Sequence, residues 1–275
     1  MRITSHGNKA VAQPIEDSLF CVRDQVVLVS GGSRGIGRAL AEGFAQRGAQ
    51  VIISGREQAT LDRTAGEIST APLRVRAIVA DVAKPDDISR LVDQVLREFG
   101  RVDTLVSVAG VNKRMKVESY SPEEFDWILD INLRGAFLLA QLVGRHMIGR
   151  RSGSIINIDS LNTYAPLKGV TPYAISKAGV SMMTRGMATE WGQHGVRVNA
   201  IAPGFFPTDL SKKLWAQDKM RTWGEANTPL GKLGEVRDLV GSAIFLASPA
   251  ARFVTGQVLR VDGGCSAGIS WPIDL

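Results

Sequence analysis

Short runs of β-branched residues alternate along this chain with longer segments of helical period, and that alternation leaves few folds open. Residues 26–29, 50–54, 74–79, 103–107, 154–158, 196–201 and 258–261 each read as a strand. Their near-continuous apolar character points to a sheet covered on both faces, because a half-exposed strand would alternate apolar and polar residues. Between the strands, Ile36, Leu40 and Phe44 recur at fours. Ile88, Leu91, Val92, Val95, Leu96 and Phe99 draw a second apolar stripe. Ser121-Pro122-Glu123-Glu124 spells a capping box with proline at the first helical position, so a helix is predicted to start there.

Strand and helix in regular alternation predict an α/β chain with one doubly wound parallel sheet, Rossmann-type, and helices on both faces. No linker, repeat or low-complexity stretch interrupts residues 20–275, which read as one domain with a mostly polar extension over residues 1–19. The 275 residues are 44% hydrophobic and 22% charged, enough to bury a large core without staples. Cys21 and Cys265 are far apart and have no metal-type spacing, so neither a disulfide framework nor a metal site is expected, and a reducing, cytoplasmic setting is. No apolar run reaches the roughly 18 residues of a membrane span, and the extension lacks a signal-type apolar core. The net charge of +6 is scattered, without the basic runs or aromatic interleaving of a nucleic-acid platform. Neither a membrane nor nucleic acid is therefore an expected partner.

Two constellations carry chemistry. The first is Gly31-Gly32-Ser33-Arg34-Gly35-Ile36-Gly37, between a predicted strand and a predicted helix. Glycines there let the backbone turn sharply and approach a pyrophosphate, while the helix N-terminus offers N–H groups and a positive dipole. The spacing Gly-x-x-x-Gly-x-Gly differs by one residue from the usual dinucleotide fingerprint. Sheets that bind NAD place an acid at the end of the second strand, on the ribose hydroxyls. Here that strand runs into Gly55-Arg56. Arg56, with Arg34 and Ser33, suits a 2′-phosphate, so NADP(H) is favoured over NAD(H).

The second constellation is Tyr173 and Lys177, one helical turn apart, with Ser160 upstream at the end of a strand. A phenol of pKa near 10 is a poor base at neutral pH, and a neighbouring ammonium favours the phenolate. Ser160 is placed to hydrogen-bond a substrate oxygen. A proton shuttle and a dinucleotide turn in one chain point to hydride transfer between nicotinamide and a carbonyl or alcohol.

With those motifs, and with Asp81-Val82, Ala109-Gly110, Asn132, Pro203-Gly204 and Val261-Asp262-Gly263-Gly264 in order, residues 20–264 resemble the short-chain dehydrogenase/reductase family. The resemblance implies that Tyr173 is the general acid/base and that Lys177 holds the nicotinamide ribose and lowers the tyrosine pKa. Ser160 would orient the carbonyl, and Asn132 would hold a water that relays protons. Asp81 and Val82 would contact adenine, and Pro203, Gly204, Phe206 and Thr208 would line the nicotinamide end. It also implies a homotetramer built from helices around residues 132–150 and 172–191, with the last strand at a second interface. Two departures stand out. Ser107-Val108 replace two asparagines usual in the family, and Asp159 precedes Ser160 where small residues are usual.

For the substrate, Lys113 and Arg114 follow the fourth strand and suit a carboxylate. Residues 205–228, with Trp215 and Trp223, read as a lid or a packed helical pair. Residues 195–206 and 229–232 and the Lys113-Arg114 loop are similar to those of family members acting on gluconate and deoxygluconate. A sugar acid such as a keto-gluconate is the expected substrate. The alternatives are a 3-oxoacyl-carrier-protein reductase, a generic ketone reductase and, more remotely, a non-catalytic dinucleotide sensor.

Overall fold

The computed structural model describes residues 18–69, 71 and 74–268. Residues 1–17 of the expected extension lie outside the described residues, and Ser18 and Leu19 open a single 3-10 turn, Ser18–Phe20.

The first half of the chain runs β1 (Val26–Ser30), α1 (Gly35–Ala45), β2 (Gln50–Gly55), α2 (Gln58–Ile68), β3 (Arg76–Val79), α3 (Pro85–Phe99) and β4 (Thr104–Ser107). The second runs α4 (Pro122–Leu129), α5 (Gly135–Arg150), β5 (Gly153–Ile158), α6 (Thr171–Trp191), β6 (Val196–Pro203), α7 (Lys212–Trp215), α8 (Asp218–Ala226), α9 (Val240–Ala247) and β7 (Val258–Val261). All six strand pairings are parallel, in the order β3-β2-β1-β4-β5-β6-β7. This is the doubly wound sheet that the alternation predicts. The direction of winding reverses between β1 and β4, and the crevice beyond their carboxyl ends is where such sheets bind ligands.

Successive strand residues feed opposite faces. Val27 and Val29 of β1 join Leu40 and Phe44 of α1, Leu61 of α2 and Ile244 of α9 in one core. Leu28, between them, joins Ile88 and Leu91 of α3 and Leu139, Val143 and Met147 of α5 in the other. The stripe of α3 is buried as its spacing requires, its first turn carries Pro85, Asp86 and Asp87, and Gly100 ends it at φ +71°. The capping box of α4 forms in both directions: Glu124 N–H donates to Ser121 Oγ at 3.2 Å, and Ser121 N–H to Glu124 Oε2 at 3.0 Å.

One element has no counterpart in the sequence pattern. A π-helical turn, Asp130–Arg134, joins α4 to α5 and makes a continuous helical run from Pro122 to Arg150. That run is long and apolar enough to cross a membrane by length and composition, but half of its most apolar window is buried. Its α5 part packs on α3, β5 and α6, so the apolar residues serve the core.

Candidate active site

The turn between β1 and α1 is drawn tight by backbone pairing. Gly31 and Gly32 N–H both donate to Ser54 carbonyl, at 2.9 and 3.1 Å. Across the switch point, Val108 and Ala109 N–H both donate to Ser30 carbonyl at 3.0 Å. Gly31 sits at φ +78°, and a Cβ there would lie 2.7 Å from Ala109 N; a Cβ on Gly37 would collide with Gly31 carbonyl oxygen. Only glycine fits either place. Arg34, at the N-cap of α1, supplies no side-chain cap, so the first-turn N–H groups stay available to an anion. This cradle fits the pyrophosphate of a dinucleotide.

The cleft over the turn is lined by Gly31, Ser33, Arg34, Gly35, Ile36 and Gly37, by Arg56 after β2, Asp81 and Val82 after β3, Ala109 and Gly110 after β4, and Thr208. These are twelve of the residues expected to meet a cofactor. Ser33 Oγ would be 3.6 Å from a Cβ on Gly55, which places it beside Arg56. Arg56 and Arg34 are exposed and, among the described residues, neither forms an ion pair. Pro203, Gly204 and Phe206 do not line this cleft. Gly204 packs on Asp262, and the Phe206 ring is buried in the core shared with α1 and α9. Neighbouring Phe205 faces the other way, against Trp215 and Trp223 at centroid distances of 5.1 and 5.3 Å.

Tyr173 and Lys177 share one face of α6, with Lys177 Nζ 5.7 Å from the centroid of the Tyr173 ring. Lys177 is buried, and Nζ donates to Ile158 carbonyl at 2.6 Å, which ties the helix to the end of β5. Burial pushes its ammonium down to about 8, against the opposing charge of Asp159. The Tyr173 phenol is pushed up from its ordinary value by burial, and Asp159 adds to that. A hydrogen bond with Ser160 and the charge of Arg114 pull it back. Ser160 and Arg114 thus oppose the rise of the phenol, while Lys177 Nζ is hydrogen-bonded to Ile158 carbonyl.

Ser160 caps a 3-10 turn, Leu161–Thr163, and its Oγ accepts from both N–H and Nδ2 of Asn162 at 3.1 Å. Asp159 is buried at 1% exposure. One carboxylate oxygen accepts from Thr163 Oγ1 at 2.6 Å, while Oδ2 has no hydrogen-bond partner among the described residues. Burial raises its carboxyl to about 6, with Thr163 and Lys177 opposing.

Asn132 lies in the π turn and bridges the two halves of the site. Its Oδ1 accepts Val111 N–H at 2.8 Å, and Nδ2 donates to Val111 carbonyl at 2.9 Å and to Ser176 Oγ at 3.0 Å. Ser176 Oγ in turn donates to Tyr173 carbonyl at 2.7 Å. The cleft, at Val111, is therefore connected to the tyrosine helix by side-chain bonds. Sequence reasoning singled out Asn132 but missed Ser176 and Asn162. An asparagine two residues past a strand-end serine, a position favouring side-chain-to-backbone turns, was the available signal.

Lys113 and Arg114 have different fates. Lys113 Nζ makes a tight ion pair with Glu124, and Tyr120 Oη donates to Lys113 carbonyl. Arg114 is exposed, forms no ion pair among the described residues, and lies near enough to Tyr173 to act on its phenol. Residues 205–228 fold as the helical pair α7 and α8. Trp215 clusters with Phe205 and with Leu161, the residue after Ser160, while Thr208 reaches the phosphate cleft. The segment thus spans both halves of the site.

A family profile described as enoyl-(acyl carrier protein) reductase matches residues 31–266. Gluconate 5-dehydrogenase of Gluconobacter oxydans is 39% identical over 91% of this chain and 98% of its own. 5-Keto-D-gluconate 5-reductase of Escherichia coli is 34% identical over 90% and 98%. A crystal structure of a gluconate 5-dehydrogenase from Burkholderia cenocepacia, in complex with NADP and tartrate, superposes with a TM-score of 0.88 at 36% identity, over 92% of this chain and 99% of that one. Fold, motif order and these likenesses agree, and the chain belongs to the short-chain dehydrogenase/reductase family of oxidoreductases.

Proposed function

We propose that this protein interconverts the keto and hydroxy forms of a sugar acid of the keto-gluconate class, with NADP(H) preferred over NAD(H). The observation that carries the reading is the convergence at one sheet edge of three things. These are the glycine cradle with Arg56 beside it, the Ser160–Tyr173–Lys177 group, and Arg114 close to Tyr173. When bound, the nicotinamide supplies or accepts the hydride.

In reduction, Tyr173 Oη gives its proton to the substrate oxygen as the carbonyl carbon receives hydride, and solvent restores the proton. Ser160 donates a hydrogen bond to the same oxygen, and Lys177 holds the ribose beside the phenol. Asn132 sets the spacing between Val111 and α6. Arg114 holds the substrate carboxylate, whereas Lys113, occupied by Glu124, stiffens the loop that presents it. Asp81 and Val82 flank the adenine end. Pro203 and Gly204 serve the nicotinamide end through their backbone, and Phe206 supports them from the core. Residues 205–228 act as the lid that excludes water.

The NADP preference is supported by Ser33, Arg34 and Arg56 around the place of a 2′-phosphate, with no acid at the end of β2, and by the relative described with NADP. A homotetramer is supported by apolar side chains left exposed on the expected faces. Phe137 on α5, Ile175 and Met182 on α6, and Leu259 on β7 are among them. A second reading, reduction of a 3-oxoacyl thioester, is supported by a relative described as a 3-oxoacyl-(acyl-carrier-protein) reductase of Thermotoga maritima, 38% identical over 87% of this chain.

Oxidation of NADPH and NADH in parallel, with 5-ketogluconate, an acetoacetyl thioester and a neutral ketone, tests the proposal. Fast turnover with NADPH and the keto acid is expected. Preference for the thioester would install the second reading, and faster turnover with NADH would remove the role given to Arg56.

A further inference from the structure

The hydrogen bonds around Ser160 are more restrictive than the proposed reaction alone requires. A serine hydroxyl has one proton to donate and two lone pairs to accept with. In this structure both acceptor positions face Asn162: its backbone N–H and its side-chain Nδ2 each approach Ser160 Oγ at 3.1 Å. The orientation of the Asn162 amide is itself fixed. Leu167 N–H donates to Asn162 Oδ1 at 2.9 Å, so the oxygen faces Leu167 and the NH₂ group faces Ser160. Leu167 packs against the cluster of Leu161, Phe205 and Trp215, which belongs to the serine turn and the helical pair after β6. The turn is pinned from its other side by Thr163 Oγ1 on Asp159.

With both lone pairs engaged, the Ser160 proton has one direction left, away from Asn162 and toward the hydroxyl of Tyr173, where a substrate oxygen must arrive for proton transfer. We infer that Asn162 is the positioning residue of the site: by filling both acceptor positions of Ser160 it obliges that hydroxyl to act as a donor. The inference rests on the reading of Ser160 and Tyr173 as the groups that meet substrate. Without Asn162 Nδ2, the serine proton is free to rotate onto other acceptors, and each such rotamer withholds a hydrogen bond from the developing oxyanion. Donors aimed in advance at that oxygen account for about 10²–10³-fold in rate where single ones have been removed. The neighbouring groups are Asp159 and Thr163 on the same turn, Tyr173 and Lys177 on α6, and Arg114 on the loop after β4. None of them replaces an N–H donor at Ser160 Oγ.

Asn162→Asp tests this with little change of shape. The carboxylate keeps an oxygen for Leu167 N–H but offers Ser160 a second acceptor in place of a donor, so the serine proton turns to it. Reduction at pH 8 should slow by about 10²-fold in kcat with the KM for substrate changed by less than about threefold. The ratio of variant to wild-type rate should climb as the pH falls toward 5 and the new carboxyl gains a proton to donate. In a Ser160→Ala background the same substitution should cost nothing further, since the group it misdirects is gone. A rate ratio flat with pH, or an equal loss in the Ser160→Ala background, would overturn the inference. If Asn162→Asp does not fold, Asn162→Ala serves, with a smaller loss of kcat that must also vanish in the Ser160→Ala background.

A readout without substrate separates this inference from the reading beneath it. The chain has three tyrosines, so the ultraviolet titration of Tyr173 is isolated by subtracting that of Tyr173→Phe. Loss of the Ser160 donor should move that titration to higher pH in Asn162→Asp. If Ser160→Ala keeps full turnover, the role given to Ser160 fails. If Ser160→Ala is inactive and the titration of Tyr173 is the same in wild type and Asn162→Asp, the positioning role of Asn162 fails alone.

Discussion

Asp159 offers the sharpest quantitative test of the structure. Its carboxyl is buried beside Thr163 and Lys177, and one of its oxygens has no hydrogen-bond partner among the described residues. An acid whose pKa rises on folding contributes stability below its unfolded value, here 3.8, and loses it as the pH climbs through its folded value, here about 6. The full gap corresponds to about 3 kcal/mol of stability missing at neutral pH, of which about 1 kcal/mol disappears between pH 5 and pH 7. Asn at this position keeps an oxygen for Thr163 Oγ1 and cannot ionise. Any fixed cost of its extra amide hydrogens is the same at both pH values and cancels on subtraction. In wild type Lys177 stays largely charged across this window, its ammonium being held at about 8 with the support of Asp159. Urea unfolding of wild type and Asp159→Asn, at one protein concentration and at pH 5 and pH 7, gives the comparison. The variant should gain about 1 kcal/mol relative to wild type on going from pH 5 to pH 7. A difference that is the same at both pH values, or that shrinks, would refute the buried, unpaired carboxyl.

Three further outcomes are expected of the site. Tyr173→Phe should lower kcat by about 10²–10⁴-fold while the dissociation constant for NADPH, read by fluorescence, stays within about twofold. Arg56→Ala should lower the ratio of NADPH to NADH efficiency by about 10–100-fold, as expected for losing charged hydrogen bonds to a phosphate, and an unchanged ratio would return that arginine to the solvent. Arg114→Ala should raise the KM for a keto acid by about tenfold and leave that for a neutral ketone alone, whereas Lys113→Ala, which breaks only the pair with Glu124, should change either by less than about threefold.

The fold was legible because its signals are local. Apolar runs, the stripes of α1 and α3 and the Ser121 capping box each encode an element within a few residues, and every strand end lies within two positions of expectation. The glycine cradle could be read for the same reason. What the sequence does not spell out is the tertiary partners. Nothing in Lys113 announces that Glu124, eleven residues on, would take its ammonium. Phe206 stands at the right distance from β6 to meet a cofactor, but consecutive residues of an extended chain face opposite sides. Phe205 faces the tryptophans, so the Phe206 ring is sent into the core. The Ile158 carbonyl that accepts from Lys177 Nζ, nineteen residues upstream, is likewise invisible in the Tyr-x-x-x-Lys spacing.

The π turn at Asp130–Arg134 has a consequence for how this chain can vary. A helix advances by about 100° per residue, and a π turn absorbs one extra residue without unwinding the helix beyond it. The helical run from Pro122 to Arg150 is therefore two phases spliced at Asn132. In one, Glu124 is presented to the loop after β4; in the other, Leu139, Val143 and Met147 are presented to the sheet. Removal of a single residue within the turn would leave an unbroken helix, yet it would rotate Asn132 away from Val111 and Ser176 or lift α5 off its core. Length is thus fixed there by geometry, and apart from Asn132, whose side chain the site uses, the turn tolerates exchange of residues better than a change in their number.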